Sequence, residues 1–146
     1  MNNNIINSIS GIYDLVSLNE LADQFIKLIN KESPIVIALY GNLGAGKTTF
    51  AKLLIENITG INSASSPTFN IVQYYKGQGF NIAHFDLYRL TSEEELRFIG
   101  LSEAIENYIT IIEWPDIAEN ILPSSTIRVY IKFSSETEKR SINISY

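Results

Sequence analysis

Residues 41–48 read Gly41-Asn42-Leu43-Gly44-Ala45-Gly46-Lys47-Thr48, a full match to G-x-x-x-x-G-K-[ST]. A loop of this kind curls its backbone around phosphate and works only between a buried strand and a helix. Both neighbours are written in the chain. Ile35-Val36-Ile37-Ala38-Leu39-Tyr40 is an unbroken apolar run, the signature of a strand covered on both faces. Thr49 to Ile58 then sets Phe50, Leu53, Leu54, Asn57 and Ile58 at helical spacing. Strand, glycine turn, helix is the context the motif requires.

The chemistry follows from the residue types. Glycines let successive N–H groups point inward, where side chains would obstruct a phosphate. The helix that follows adds unpaired N–H groups and the positive end of its dipole. Lys47 is placed to set a compact cation on the β- and γ-phosphates, and the Thr48 hydroxyl to ligate Mg²⁺. Nucleotide contacts are therefore expected from Gly41, Asn42, Leu43, Gly44, Ala45, Gly46, Lys47, Thr48 and Thr49.

A chain of 146 residues suits one domain with a sizeable core, so residues 1–146 are read as a single α/β domain. No apolar run approaches the roughly 20 residues that span a bilayer, and the Met1-Asn2-Asn3-Asn4 start lacks a signal peptide's basic and apolar regions. Without cysteine there is no disulfide, thiolate nucleophile or cysteine zinc site, and a cytoplasmic location fits. The net charge of −5, with basic residues mostly scattered, argues against broad nucleic-acid binding by this chain alone.

Local patterns supply the rest of the fold. Residues 5–16 alternate weakly, as an edge strand does. Ser17-Leu18-Asn19-Glu20 reads as a capping box opening a helix over 18–30, and Pro34 opens the buried strand. Phe69 to Tyr75 and Phe80 to Leu87 flank a Lys76-Gly77-Gln78-Gly79 turn, a hairpin pattern. Thr91-Ser92-Glu93-Glu94 reads as a second capping box before a short helix to Phe98, and Ser102 to Asn107 as another. Ile109 to Glu113 is a further apolar strand, Pro115 begins a small helix ending before Pro123, and Ile127 to Phe133 pairs with Ile142 and Ile144 in a last hairpin. The sum is a P-loop NTPase-like fold whose central sheet is mixed, mainly parallel, with antiparallel additions.

Carboxylates near the metal and the γ-phosphate are expected where buried strands end, at the open edge of the sheet. Asp86, after Phe80 to Phe85, and Glu113, after Ile109 to Ile112, both fit, and either is suited to hold Mg²⁺ or to polarise water. His84, the only histidine, shares a strand face with Asp86 and reads first as a structural hydrogen-bonding residue. Trp114, the only tryptophan, fits equally a base-stacking or a core-edge role. Thr68, in Ser66-Pro67-Thr68, lies on a loop suited to reach the γ-phosphate. No Asn-Lys-x-Asp follows the loop, so ATP is favoured over GTP; no arginine-rich lid is present, and Arg89, Arg97, Arg128 and Arg140 lie outside any obvious finger context. A small-molecule kinase would need an acceptor pocket and a lid. A non-hydrolysing, nucleotide-dependent interaction module needs the same binding residues. Slow turnover that a partner accelerates is the leading reading. The segment before the first helix is the candidate for the adenine side.

Taken in series, Gly41 to Phe50, Ser66-Pro67-Thr68-Phe69, His84-Phe85-Asp86-Leu87-Tyr88-Arg89-Leu90 and Ile112-Glu113-Trp114-Pro115 resemble the TsaE (YjeE) family. Glu94-Glu95-Leu96-Arg97-Phe98-Ile99-Gly100-Leu101 is similar to a further family segment, with Arg97 in place of an acidic residue. The resemblance runs from about Leu15 to Pro123. It implies a bacterial cytoplasmic ATPase of tRNA threonylcarbamoyladenosine modification, working with a TsaB-like and a TsaD-like protein and meeting tRNA only through that complex. Its ATP hydrolysis would reset the complex for further turnovers. By matching position, Lys47 would bind phosphate and Thr48 with Glu113 would bind Mg²⁺. Asp86 would be the Walker B-like acid, Thr68 the switch-loop hydroxyl and Trp114 a neighbour of the nucleotide.

Overall fold

The strands β1 (Ser8–Tyr13), β2 (Ile35–Tyr40), β3 (Val72–Lys76), β4 (Asn81–Asp86), β5 (Ile109–Glu113), β6 (Ile127–Phe133) and β7 (Arg140–Ser145) form one sheet in the order β1-β7-β6-β2-β5-β4-β3. The computed structural model describes residues 8–29, 34–62, 64, 67 and 70–146. The four inner strands β6, β2, β5 and β4 run parallel, whereas β1, β7 and β3 attach antiparallel at the two margins. The mixed sheet, parallel in its middle, is the α/β arrangement expected.

Its two faces are covered by different helices. On one lie α1 (Leu15–Leu28) and α2 (Lys47–Thr59), where Phe25, Phe50 and Leu54 meet Ile37, Leu39, Ile82 and Ile111 of the sheet. On the other, Leu101 and Ala104 of α3 (Leu101–Asn107) and Leu96 of a 3-10 helix (Glu93–Phe98) pack with Val36, Ala83, Phe85 and Ile112. This two-sided cover is why β2 reads as an unbroken apolar run and β5 as a largely apolar one. Fully buried Phe25, Phe50 and Phe85 are each worth about 1.5–3 kcal/mol relative to exposure.

Two helix starts differ from the sequence reading. Ser17 does not cap α1. Asp14 does, its carboxylate accepting the Ser17 N–H at 2.8 Å while the Ser17 hydroxyl accepts the Asp14 N–H at 3.0 Å. Capping pairs overlap here, and the earlier one is used because Leu15 and Val16 continue the helix backwards. The second expected box does not form, and no side chain caps this start. Ser92 precedes the 3-10 helix, and Glu95 reaches back to the hydroxyls of Thr91 at 3.0 Å and Ser92 at 3.4 Å. The hairpin at Lys76 closes as expected, with the Gly77 N–H donating to the Phe80 carbonyl at 2.8 Å. A further 3-10 helix (Pro115–Ile121) leads from β5 toward β6. Among the described residues no helix is long and apolar enough to cross a membrane.

Candidate functional site

The carboxyl ends of β2, β5 and β4 open at one edge of the sheet. From β2 the chain turns through residues 41–46 directly into α2. Gly46, at φ 116°, adopts a left-handed backbone conformation that admits glycine far more readily than other residues. Gly41 runs so close to β6 that an added Cβ would stand 2.5 Å from the Ile131 carbonyl oxygen. Together they bend the loop back over the N-terminus of α2.

A cleft of about 400 Å³ lies beside it. Leu43, Gly44, Gly46, Lys47, Thr48 and Thr49 form one wall; Pro67, Asn70, Ile71, Asp86, Tyr88, Arg89, Glu113 and Trp114 form the rest. Gly41, Asn42 and Ala45 line a separate hollow behind the loop, with the carbonyls of Gly41 and Asn42 turned to the Lys47 ammonium at the cleft.

Strand order decides which acid meets the loop. Because β5 is inserted between β2 and β4, Glu113 stands opposite Leu39 on one side and opposite Asp86 on the other. Glu113 is therefore the strand-end carboxylate next to the P-loop strand, and its Oε1 accepts the Thr48 hydroxyl at 2.6 Å. Its Oε2 lies 2.7 Å from His84 Nε2, with both side chains inside the protein. Asp86 lies one strand further away and accepts the Tyr88 N–H at 3.0 Å. Burial raises the Asp86 carboxyl above its ordinary value, the nearby charge of Glu113 adds to that, and the Tyr88 N–H opposes it.

Lys47, the first residue of α2, is buried. Its Nζ donates to the carbonyls of Gly41 at 2.5 Å and Asn42 at 3.0 Å and lies 3.9 Å from the centre of the Trp114 ring. Burial lowers its pKa from the usual lysine value, against the opposing pull of Glu113, Asp86 and Asp116. Trp114 itself holds a left-handed backbone at φ 54°, uncommon for a bulky residue and typical of functional sites. That turn lays its ring 4.9 Å from Tyr88 at the cleft.

The donor set suits a hard cation. Thr48, Glu113 and Asp86 offer oxygens only, and Thr48 and Glu113 already touch. Among the described residues no group of three or more His, Cys, Asp or Glu side chains is arranged to hold a metal. Magnesium needs no such cage, since it takes one or two carboxylates and completes its shell with phosphate and water.

Thus Lys47, Thr48, Thr49, Asp86, Glu113 and Trp114 all line this one cleft. Thr68 lies outside the described residues, although Pro67 and Asn70 on either side of it line the cleft. Tyr88 and Arg89 were not singled out as site residues. They reach the cleft because the chain turns straight after β4, where the Leu90 N–H bonds the Leu87 carbonyl at 3.0 Å. The signal was their place immediately after a strand-end acid. A second hollow of about 280 Å³ joins the cleft through Gly46 and Thr49, which line both. Tyr13, Asp14 and Leu15 line it too, so the segment before α1 does come to the loop.

The family model described as "Threonylcarbamoyl adenosine biosynthesis protein TsaE" matches residues 13–142. Curated relatives bear the name tRNA threonylcarbamoyladenosine biosynthesis protein TsaE. One from Rickettsia bellii is 44% identical over 111 residues, 75% of this chain and 76% of that protein. Another, from Haemophilus influenzae, is 36% identical over 126 residues, 84% of this chain and 80% of its own length. Among solved structures, YdiB of Bacillus subtilis shares the fold, with a TM-score of 0.72 at 23% identity over 98% of this chain and 88% of that one.

Proposed function

The chain belongs to the TsaE family of tRNA threonylcarbamoyladenosine biosynthesis, and from that premise we propose that it is a magnesium-dependent ATPase subunit. It would serve a TsaB-like and TsaD-like pair in the cytoplasm, meeting tRNA only through that complex. The observation that carries the reading is the Thr48–Glu113 contact at 2.6 Å, between the first turn of α2 and the end of β5. It joins the phosphate loop to a strand-end acid at the place where a metal–nucleotide complex needs both.

Each residue then has a defined task. The N–H groups at the start of α2 face the phosphates, and Lys47 exchanges the carbonyls of Gly41 and Asn42 for phosphate oxygens. Thr48 and Glu113 would hold a magnesium ion, which would supply charge for the phosphate oxygens. Asp86 orients the attacking water and takes its proton as water oxygen bonds the γ-phosphorus and the bond to ADP breaks. Its raised pKa makes it a better proton acceptor than an ordinary aspartate. Thr68 supplies a switch-loop hydroxyl, Trp114 walls the nucleotide, and the hollow by Tyr13 and Asp14 takes the adenine, since Thr49 connects it to the phosphate cleft.

Trp114 tests this reading directly, because it is the only tryptophan and lies over Lys47. Titration with ATP is expected to change its emission saturably, at lower concentrations than GTP. No change with either nucleotide would overturn the proposal. Label moving from ATP to an added small-molecule acceptor would instead favour a kinase.

A further inference from the structure

His84 has no assigned part in nucleotide binding or hydrolysis, yet it occupies one of the most protected positions in the sheet. Along β4 the side chains alternate. Ala83 and Phe85 join the core on the α3 face, whereas Ile82 joins the core beneath α1 and α2, and His84 and Asp86 follow Ile82 on that side. The His84 side chain is 0% exposed. An imidazole is a poor choice for filling such a place. Its Nδ1 finds no hydrogen-bond partner among the described residues, a burden that an apolar side chain would avoid.

What the ring does make is one contact, Nε2 to Glu113 Oε2 at 2.7 Å. A carboxylate only accepts, so Nε2 carries the hydrogen and donates it. The other oxygen of Glu113 accepts the Thr48 hydroxyl at 2.6 Å. The carboxylate is thus held at both ends, one from the neighbouring strand and one from the helix that follows the phosphate loop. Only the His84 end is independent of the group that would share the metal.

We infer that His84 is a positioning residue for Glu113, fixing its side chain so that Oε1 is presented to Thr48 whether or not nucleotide is bound. The inference rests on the nucleotide-site reading above. His84 touches neither phosphate nor metal in it and acts only through Glu113. Partners of this kind, which orient a metal-binding carboxylate, typically matter by 10- to 100-fold in metal affinity.

The test compares ADP binding by calorimetry, with magnesium and with EDTA, in wild type, His84→Leu and His84→Gln. Glutamine keeps an N–H at about the reach of Nε2; leucine fills the space without one. In His84→Leu the strengthening that magnesium confers is expected to fall about tenfold or more, while affinity in EDTA holds. His84→Gln recovers most of it. If His84→Leu does not fold, His84→Asn, whose amide is too short to reach Glu113, takes its place with the same expectation. A normal magnesium effect in the donor-less variant, an equal loss in EDTA, or a glutamine variant no better than leucine would each overturn the inference. Wild type showing no magnesium effect would overturn the nucleotide-site reading itself, and this inference with it.

Discussion

Lys47→Ala is expected to weaken ATP binding by about 100-fold or more, while the protein stays folded. The magnitude follows from what the ammonium does. A charge-assisted bond to phosphate contributes roughly 1.5–3 kcal/mol, and Lys47 serves two phosphates at once. Each 1.4 kcal/mol is about a factor of ten in affinity. Stability should hold because the ammonium's burial works against its charged form, as its lowered pKa records. Against that relief stand its bonds to the Gly41 and Asn42 carbonyls and the cation–π contact with Trp114, which is worth about 2 kcal/mol where desolvated. Alanine also suits the first turn of α2. Calorimetry with ATP checks this, and undiminished binding in the variant would contradict the role given to Lys47.

Asp86→Asn separates binding from turnover. Asparagine keeps an acceptor for the Tyr88 N–H but cannot take a proton, so ATP should bind as before and hydrolysis should fall by about 10²–10⁴. The same variant carries a stability signature. The folded-state pKa of Asp86 lies above its unfolded value of 3.8, so the folded protein holds this proton more tightly than the unfolded chain. Below 3.8 the raised pKa favours folding; that contribution is lost as pH rises through the folded pKa. Asparagine stays neutral throughout. Its thermal midpoint should therefore gain on wild type as pH rises through that window. Thermal melts across pH and a single-turnover assay read both effects, and unchanged hydrolysis would remove Asp86 from the reaction.

The parts of this site legible in sequence are those set by local pattern. The run from Ile35 to Tyr40, the glycines of the loop and the α2 spacing each declare themselves within a few residues, because one strand and one turn determine them. Strand-end acids are likewise visible, since an apolar run followed by Asp86 or Glu113 already says that a charge meets an open edge. Which acid touches Thr48 is not local. It depends on β5 lying between β2 and β4, a pairing that nothing in residues 109–113 encodes by itself. For the same reason the His84–Glu113 contact, spanning 29 residues of sequence, was hidden behind a plain structural reading of the histidine. The close approach of Gly41 to Ile131 belongs to the same class, because β6 comes beside β2 only after the chain has crossed the whole sheet. Helix starts failed more modestly: at α1 the polar residues Asp14 and Ser17 lie one turn apart and the earlier one caps, and before the 3-10 helix no side chain caps at all.

ATP hydrolysis measured with and without the TsaB-like and TsaD-like proteins of the same cell tests the central claim most directly. Turnover should be slow for the chain alone, rise by about tenfold or more when the pair is added, and vanish in Glu113→Ala under both conditions. No stimulation by the pair, or stimulated hydrolysis undiminished in Glu113→Ala, would contradict a partner-dependent ATPase built on this loop.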